Sequence, residues 1–219
     1  MNLLFDLDGT LTNPALGITG CILHALERLE FGELPEREEL HWCIGPPLRD
    51  SFAQLLETED ERLIEEAVAL YRERFADVGL FENEVYRDIP EGLSSLREAG
   101  HRMWVATSKP HVYATQIVEH FGLGDFFQGV YGSELSGENV HKTDLIALIL
   151  EQEGLPGEQV WMIGDRAQDI VGAQANALRT IGVLWGFGDQ AELEGVRSEF
   201  IVDSMASLIG VVSAAGRSD

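Results

Sequence analysis

Two aspartates one residue apart, followed by a glycine and a threonine, close the first apolar run of the chain: Phe5-Asp6-Leu7-Asp8-Gly9-Thr10-Leu11. Carboxylates this close repel each other, so the pair calls for a cation between them or a shared proton. An Asp-Gly turn closing a strand has the same look and asks for no chemistry. A second acidic turn follows another apolar run, Ile163-Gly164-Asp165-Arg166-Ala167-Gln168-Asp169. Its four-residue spacing puts Asp165 and Asp169 on one side of a helix start, where the dipole favours negative charge. The plainer alternative is Asp165 as a helix N-cap, worth about 1 kcal/mol. Two acidic strand ends in one sheet favour a hard cation with oxygen ligands, Mg²⁺ before Ca²⁺. The histidines (His24, His41, His101, His111, His120 and His141) show no ligand spacing for a transition metal.

A third apolar run ends in hydroxyls, Val105-Ala106-Thr107-Ser108-Lys109-Pro110. Pro110 starts a helix whose free N–H groups point back toward them, a natural phosphate cradle, although Thr107 or Ser108 could equally serve only as a cap. His141-Lys142 precedes a further helix, and a lone lysine there is ordinarily a surface residue. Lys109 and Lys142 are nevertheless the only lysines in the chain, arginine supplying every other basic side chain.

The elements that must position these residues alternate short apolar runs with helical periodicity, the pattern of parallel strands joined by helices. Leu3-Leu4-Phe5, Arg102–Ala106, Val160–Ile163 and Thr180–Val183 read as strands; Gly129-Val130-Tyr131 and Phe200-Ile201-Val202 are weaker candidates. Helices run from Pro90 to Gly100, from Pro110 to Gly122, and from about Thr143 to Glu153 with Gly154 closing. Between Pro14 and Asn83 only helical pattern appears, at Ile18–Leu29, Pro47–Leu56 and Asp60–Phe75. This stretch is read as an inserted helical unit of roughly 70 residues, a small domain in size. The fold expected is α/β, a doubly wound, Rossmann-like parallel-sheet core at 1–13 and 84–219 with an all-helical cap at 14–83.

Taken together, the four segments match in order and setting the four motifs of the haloacid dehalogenase-like (HAD) hydrolases, and the chain resembles that superfamily over nearly its whole length. The resemblance includes the cap after the first motif and Gly182-Val183-Leu184-Trp185-Gly186 after the fourth. It implies an enzyme, a phosphoric monoester hydrolase with Asp6 as nucleophile, forming an aspartyl-phosphate. By the same resemblance Mg²⁺ is held by Asp6, the Asp8 carbonyl and Asp165, with Gly9 and Asp169 supporting from their turns. The Asp8 side chain is general acid and then base. Thr107 and the Ser108 amide hold the phosphoryl group, Lys142 neutralises charge on nucleophile and phosphoryl oxygens, and Lys109 is a further substrate-side candidate. Phosphoryl transfer needs in-line positioning and neutralised oxygens more than covalent chemistry, so these residue types recur.

The cap segment Ile44-Gly45-Pro46-Pro47-Leu48-Arg49-Asp50-Ser51-Phe52 lies where related enzymes carry their substrate loop. Arg49 there is expected to face the leaving group, since a guanidinium binds anions bidentately; a structural helix start is the alternative. The resemblance is to phosphoglycolate phosphatases and bacterial 5′-nucleotidase-type enzymes, with Ile-Gly-Pro-Pro-Leu, Ala-Thr-Ser-Lys-Pro, His-Lys-Thr-Asp and Ile-Gly-Asp-Arg leaning to the nucleotidase branch. Asn13-Pro14 departs from the acidic residue and Ser or Thr found in many members. Trp42, Phe52, Trp185 and Phe187 could stack on a base or simply pack. A phosphomutase of the β-phosphoglucomutase kind would use the same motifs, and a catalytically silent interaction module could keep the fold. A dehalogenase is disfavoured because the chain keeps Asp8.

The resemblance implies a small phosphorylated metabolite as partner, and composition speaks against nucleic acid and membranes. The net charge of −23 over 219 residues repels nucleic acid and anionic membranes. No run approaches the roughly 18 apolar residues of a membrane span. Cys21 and Cys43 are too few for a disulfide framework, and Met1-Asn2-Leu3-Leu4 lacks a signal-peptide pattern, so the cytoplasm is the expected compartment. A monomer or homodimer is expected.

Overall fold

The computed structural model describes residues 1–216. In it the chain divides into two compact units, Met1–Thr12 with the chain from Val85 onward, and Asn13–Glu84. The first strand, β1 (Asn2–Phe5), is followed by a tight turn in which the Leu11 and Thr12 amides donate to the Leu7 carbonyl at 2.9 and 3.0 Å. A two-residue strand, β2 (Thr12–Asn13), leads out of this turn and pairs with β3 (Glu84–Val85) on the return. Such short strands have no periodicity to read, and the sequence gives no sign of them.

The Asn13–Glu84 unit is helical, with α1 (Ala15–Arg28), α2 (Leu48–Leu55) and α3 (Glu61–Arg74) as its α-helices. A 3₁₀ segment at Arg37–Cys43 and a π-helical turn at Phe75–Gly79 complete it. Asp60 caps α3 by accepting the Arg62 amide at 2.9 Å. Along α3 the residues Ile64, Ala67, Val68 and Tyr71 are buried at 3–4 spacing, which is why the segment holds a helix against α1. Tyr71 stacks on Phe75 and meets Phe52 edge-on.

Back in the first unit, α4 (Ile89–Glu98) starts with Pro90 in its first turn, where the missing N–H costs nothing. Then come β4 (Arg102–Pro110), α5 (His111–His120), β5 (Gly129–Ser133), α6 (Lys142–Glu153), β6 (Val160–Gly164), α7 (Ala167–Ala175), β7 (Arg179–Val183), α8 (Gln190–Gly195), β8 (Phe200–Val202) and α9 (Met205–Ala215). The sheet is parallel throughout, in the order β5-β4-β1-β6-β7-β8, the doubly wound arrangement expected. Parallel strands are covered on both faces, so they read as unbroken apolar runs; β6 is buried at every position. Leu4, Trp104 and Met162 from the strands and Leu145 and Ile149 from α6 belong to one core cluster between the sheet and that helix.

From β1 the chain winds toward β4 and β5, and from β6 toward β7 and β8. The direction therefore reverses between β1 and β6, and the crevice outside their carboxyl ends is where an open α/β sheet receives ligands. Asp6 and Asp165 follow those two strands, and the Asp6 amide donates to the Ile163 carbonyl at 2.9 Å across the switch.

Candidate active site

Lys142 opens α6 and turns its side chain inward, where it is buried. Its Nζ lies 2.6 Å from Asp6 Oδ1, 2.7 Å from the Ala106 carbonyl at the end of β4, and 2.6 Å from Asp169 Oδ1. One ammonium thus ties three chain segments together. Burial works against its charge, but the Asp169 and Asp6 carboxylates outweigh that, and Lys142 is held above its usual value.

Asp8 is also buried. Its Oδ2 lies 2.6 Å from Lys109 Nζ, while its Oδ1 accepts no hydrogen bond from the described residues. Burial raises the Asp8 carboxyl above its ordinary range, with Lys109 pulling the other way. The hydroxyls meet a different setting from the one expected: β4 continues through them to Pro110, with a register shift against β5 between Thr107 and Pro110. An irregular strand end re-aims side chains at the rim of a sheet. Thr107 is buried there and its Oγ1 accepts the Lys109 amide at 3.2 Å. The Ser108 carbonyl accepts the Ser133 hydroxyl at 2.8 Å.

Asp165 does not cap α7. The N-cap position belongs to Arg166, whose amide donates to Asp169 Oδ2 at 3.1 Å. Asp165 points elsewhere, accepting the Phe187 amide at 2.8 Å and the Thr10 hydroxyl at 3.3 Å. Asp6, Asp165 and Asp169, all buried, bring carboxylate oxygens within 4.8 Å of one another. Burial raises Asp165 well above a normal carboxylate, and the charges of Asp169 and Asp6 push the same way. Asp169 is raised by burial as well, against the pull of Lys142. Three buried carboxylates facing one lysine are under-compensated, and all their donors are hard oxygens. The set fits Mg²⁺.

The structure therefore gathers Asp6, Asp165, Asp169 and Lys142 into one cluster, and pairs Asp8 with Lys109 beside it. Gly9 has no room for a side chain because the Asp165 carboxylate lies where its Cβ would be, and its φ of +89° favours glycine in any case. Arg49 sits in the helical unit, where its guanidinium is ion-paired with Glu61 and Glu65. Two contributors escaped sequence reading. Thr10 stood inside the first motif without a role. Glu192 accepts both Arg166 Nε, at 2.9 Å, and the Ala167 amide, at 2.7 Å, so it satisfies the start of α7. Nothing in a helix rich in acidic residues marks Glu192 out.

The sequence profile described as haloacid dehalogenase-like hydrolase matches residues 3–183, a span that runs from β1 through β7 and includes every residue of this cluster. The chain is a haloacid dehalogenase-like hydrolase. Relatives of this HAD-like enzyme include a 5′-nucleotidase of Pseudomonas aeruginosa, 45% identical over 97% of this chain and 96% of that protein. The tyrosine-protein kinase PtkA of Mycobacterium tuberculosis is 33% identical over 95% of this chain and 72% of that protein. A crystal structure of a predicted phosphatase from Clostridium acetobutylicum superposes with a TM-score of 0.94 at 39% identity, covering 97% of the HAD-like chain and 98% of that one.

Proposed function

We propose that this hydrolase is a Mg²⁺-dependent phosphatase of small phosphomonoesters, of the 5′-nucleotidase type, working through an aspartyl-phosphate on Asp6. The observation behind the reading is the position of Asp6, a buried carboxylate at the switch point of the sheet, gripped by Lys142 at 2.6 Å and clustered with Asp165 and Asp169. Asp6, the Asp8 carbonyl and Asp165 would hold the metal, supported by Asp169. Bound there, Mg²⁺ supplies the positive charge that lets an anionic carboxylate approach an anionic phosphoryl group.

The chain's own residues do the rest. A free oxygen of Asp6 attacks phosphorus, the bond to the ester oxygen breaks, and Asp8 gives its proton to the departing alkoxide. A water then attacks the aspartyl-phosphate, Asp8 takes the water's proton, and inorganic phosphate leaves with Asp6 restored. The raised Asp8 carboxyl suits a group that must hold a proton for the first step, a contribution of about 10²–10⁴-fold. Lys142 offsets the charge on Asp6 and the phosphoryl oxygens, while the Thr107 hydroxyl and Ser108 amide would hold those oxygens at the rim of β4.

Nucleoside monophosphates stand first among substrates because the relative at 45% identity bears the name 5′-nucleotidase. No helix among the described residues is long and apolar enough to cross a membrane. Separately, the sequence reading leads us to propose a cytoplasmic monomer or homodimer. The test is phosphate release from nucleoside monophosphates, 2-phosphoglycolate, hexose phosphates and an aryl phosphate, with Mg²⁺ and then with EDTA. Turnover that needs the metal, prefers a nucleotide and disappears in Asp6→Asn supports the reading. A folded chain that binds Mg²⁺ yet releases phosphate from none of them would refute it.

A further inference from the structure

One short segment after β7, Trp185-Gly186-Phe187-Gly188, closes on Asp165 and on the turn that follows β1. Trp185 Nε1 donates to the Thr10 carbonyl at 3.0 Å. Two residues on, the Phe187 amide donates to Asp165 Oδ2 at 2.8 Å. The glycines between and after them have no room for a side chain. A Cβ on Gly186 would fall on the Asp165 carboxylate and the Gly9 carbonyl, and one on Gly188 would meet the Asp165 carbonyl. Thr10 completes the circuit by donating its hydroxyl to Asp165 Oδ1 at 3.3 Å. Both carboxylate oxygens of Asp165 are therefore fixed from two directions, and the backbone on either side of the carboxylate is packed without slack.

We propose that Trp185–Gly188 is a clamp that sets the orientation of Asp165 for Mg²⁺, with Trp185 the positioning residue that acts through the Thr10 turn. The proposal rests on the reading of Asp165 as a metal ligand. A carboxylate held in place before the metal arrives loses no rotamer freedom on binding, and its affinity is higher for it. The indole serves here as a donor. Taken from the sequence alone, Trp185 reads as a stacking surface or as packing; the structure gives its N–H an acceptor in the first motif, 175 residues away in sequence.

Two variants of the whole chain separate the clamp from mere packing. Trp185→Phe keeps an aromatic ring and removes the N–H donor. Gly186→Ala places a methyl group on the Asp165 carboxylate, and Gly195→Ala, where nothing lies within 4 Å, is its control. Each is titrated with Mg²⁺ alone by calorimetry, and KM for a nucleoside monophosphate is measured at saturating Mg²⁺. Trp185→Phe is expected to weaken Mg²⁺ binding by about two- to tenfold, the range for one lost hydrogen bond, with KM unchanged. Gly186→Ala should weaken it further, and Gly195→Ala should leave it alone. A folded Trp185→Phe protein that binds Mg²⁺ as tightly as the wild type overturns the clamp, and because this variant adds no atom it decides the matter even if Gly186→Ala does not fold. A wild-type chain that binds no Mg²⁺ overturns the metal reading and the clamp with it, whereas wild-type binding alongside an unaffected Trp185→Phe overturns the clamp alone.

Discussion

Lys109 Nζ lies 2.6 Å from Asp8 Oδ2, and both side chains are buried, with 6% and 9% of their surface exposed. Lys109 thereby holds one oxygen of the proposed general acid and leaves the other, Oδ1, without a hydrogen bond from the described residues. Lys109 also pulls the Asp8 carboxyl down, so without it Asp8 takes up a proton and is left as a neutral buried group short of one partner; Lys109→Met should destabilise the fold by about 1–3 kcal/mol in thermal or urea unfolding. The kinetic consequence depends on the leaving group. An alkoxide needs the Asp8 proton and an aryl oxide hardly does. We expect kcat on a nucleoside monophosphate to fall on the order of 10–10²-fold, and on an aryl phosphate by much less. Equal losses on both esters would mean that Lys109 serves the phosphoryl group, the substrate-side role given to it by resemblance.

Asp165 should show the opposite balance between stability and function. Its carboxylate is buried beside Asp6 and Asp169, and burial with their repulsion raises it well above normal. Neutralising it in Asp165→Asn removes an uncompensated charge, so the metal-free variant should melt no lower than metal-free wild type. Mg²⁺ at about 100 times its Kd adds about 2.7 kcal/mol to a protein that binds it, on the order of 5–10 °C for a chain of this size. Wild type should show that rise and Asp165→Asn should lose most of it. Calorimetric melts with EDTA and with Mg²⁺ test both halves, and a variant that melts lower but keeps its Mg²⁺ shift would contradict them.

What could be read in the sequence, and what could not, divides along physical lines. Strands such as Val160–Gly164 are buried on both faces and so announce themselves as apolar runs. Asp6 and Asp165 stand out because charge ends such a run. The two-residue strands Thr12–Asn13 and Glu84–Val85 are too short for any period to show. The continuation of β4 through Thr107 to Pro110 was hidden by the hydroxyls and the proline, which read as the start of the next helix. Partner choice is the least legible part. The resemblance sets Lys142 against Asp6, but only the fold adds Asp169 as its second carboxylate and sends Lys109 to Asp8. Glu192 and the Phe187 amide reach the β6–α7 turn from beyond β7, at separations no local pattern records.

Arg49 gives a prediction about the helical unit. Its guanidinium already has two carboxylates, Glu61 and Glu65, and its side chain remains 40% exposed. An exposed pair of this kind is worth about 0–1 kcal/mol, so Arg49→Ala should change stability by no more than that. A pairing worth so little is readily exchanged for an anionic ligand, so the kinetics decide the role: a rise in KM on a nucleoside monophosphate of about tenfold in Arg49→Ala is the outcome expected of a leaving-group contact. Unchanged kcat and KM would remove the leaving-group role that the sequence suggests for Arg49.

His101 predicts how stability responds to acid at a point outside the active site. It follows α4 at the entry to β4, and burial lowers its pKa below the usual 6.5, favouring the neutral ring. Its Nδ1 is buried with no hydrogen-bond partner among the described residues. The unfolded chain takes up the proton near pH 6.5, before the folded one does, so the stabilisation from a neutral His101 is complete above that pH. It is lost progressively as pH falls from 6.5 through the lower folded value. NMR titration of the imidazole should therefore give a midpoint below 6.5. His101→Gln, which cannot be protonated, should flatten the fall in unfolding free energy between about pH 7 and 5 that this group contributes. A midpoint at or above 6.5, or an acid limb identical in His101→Gln, would show that this half-buried ring does not couple folding to pH.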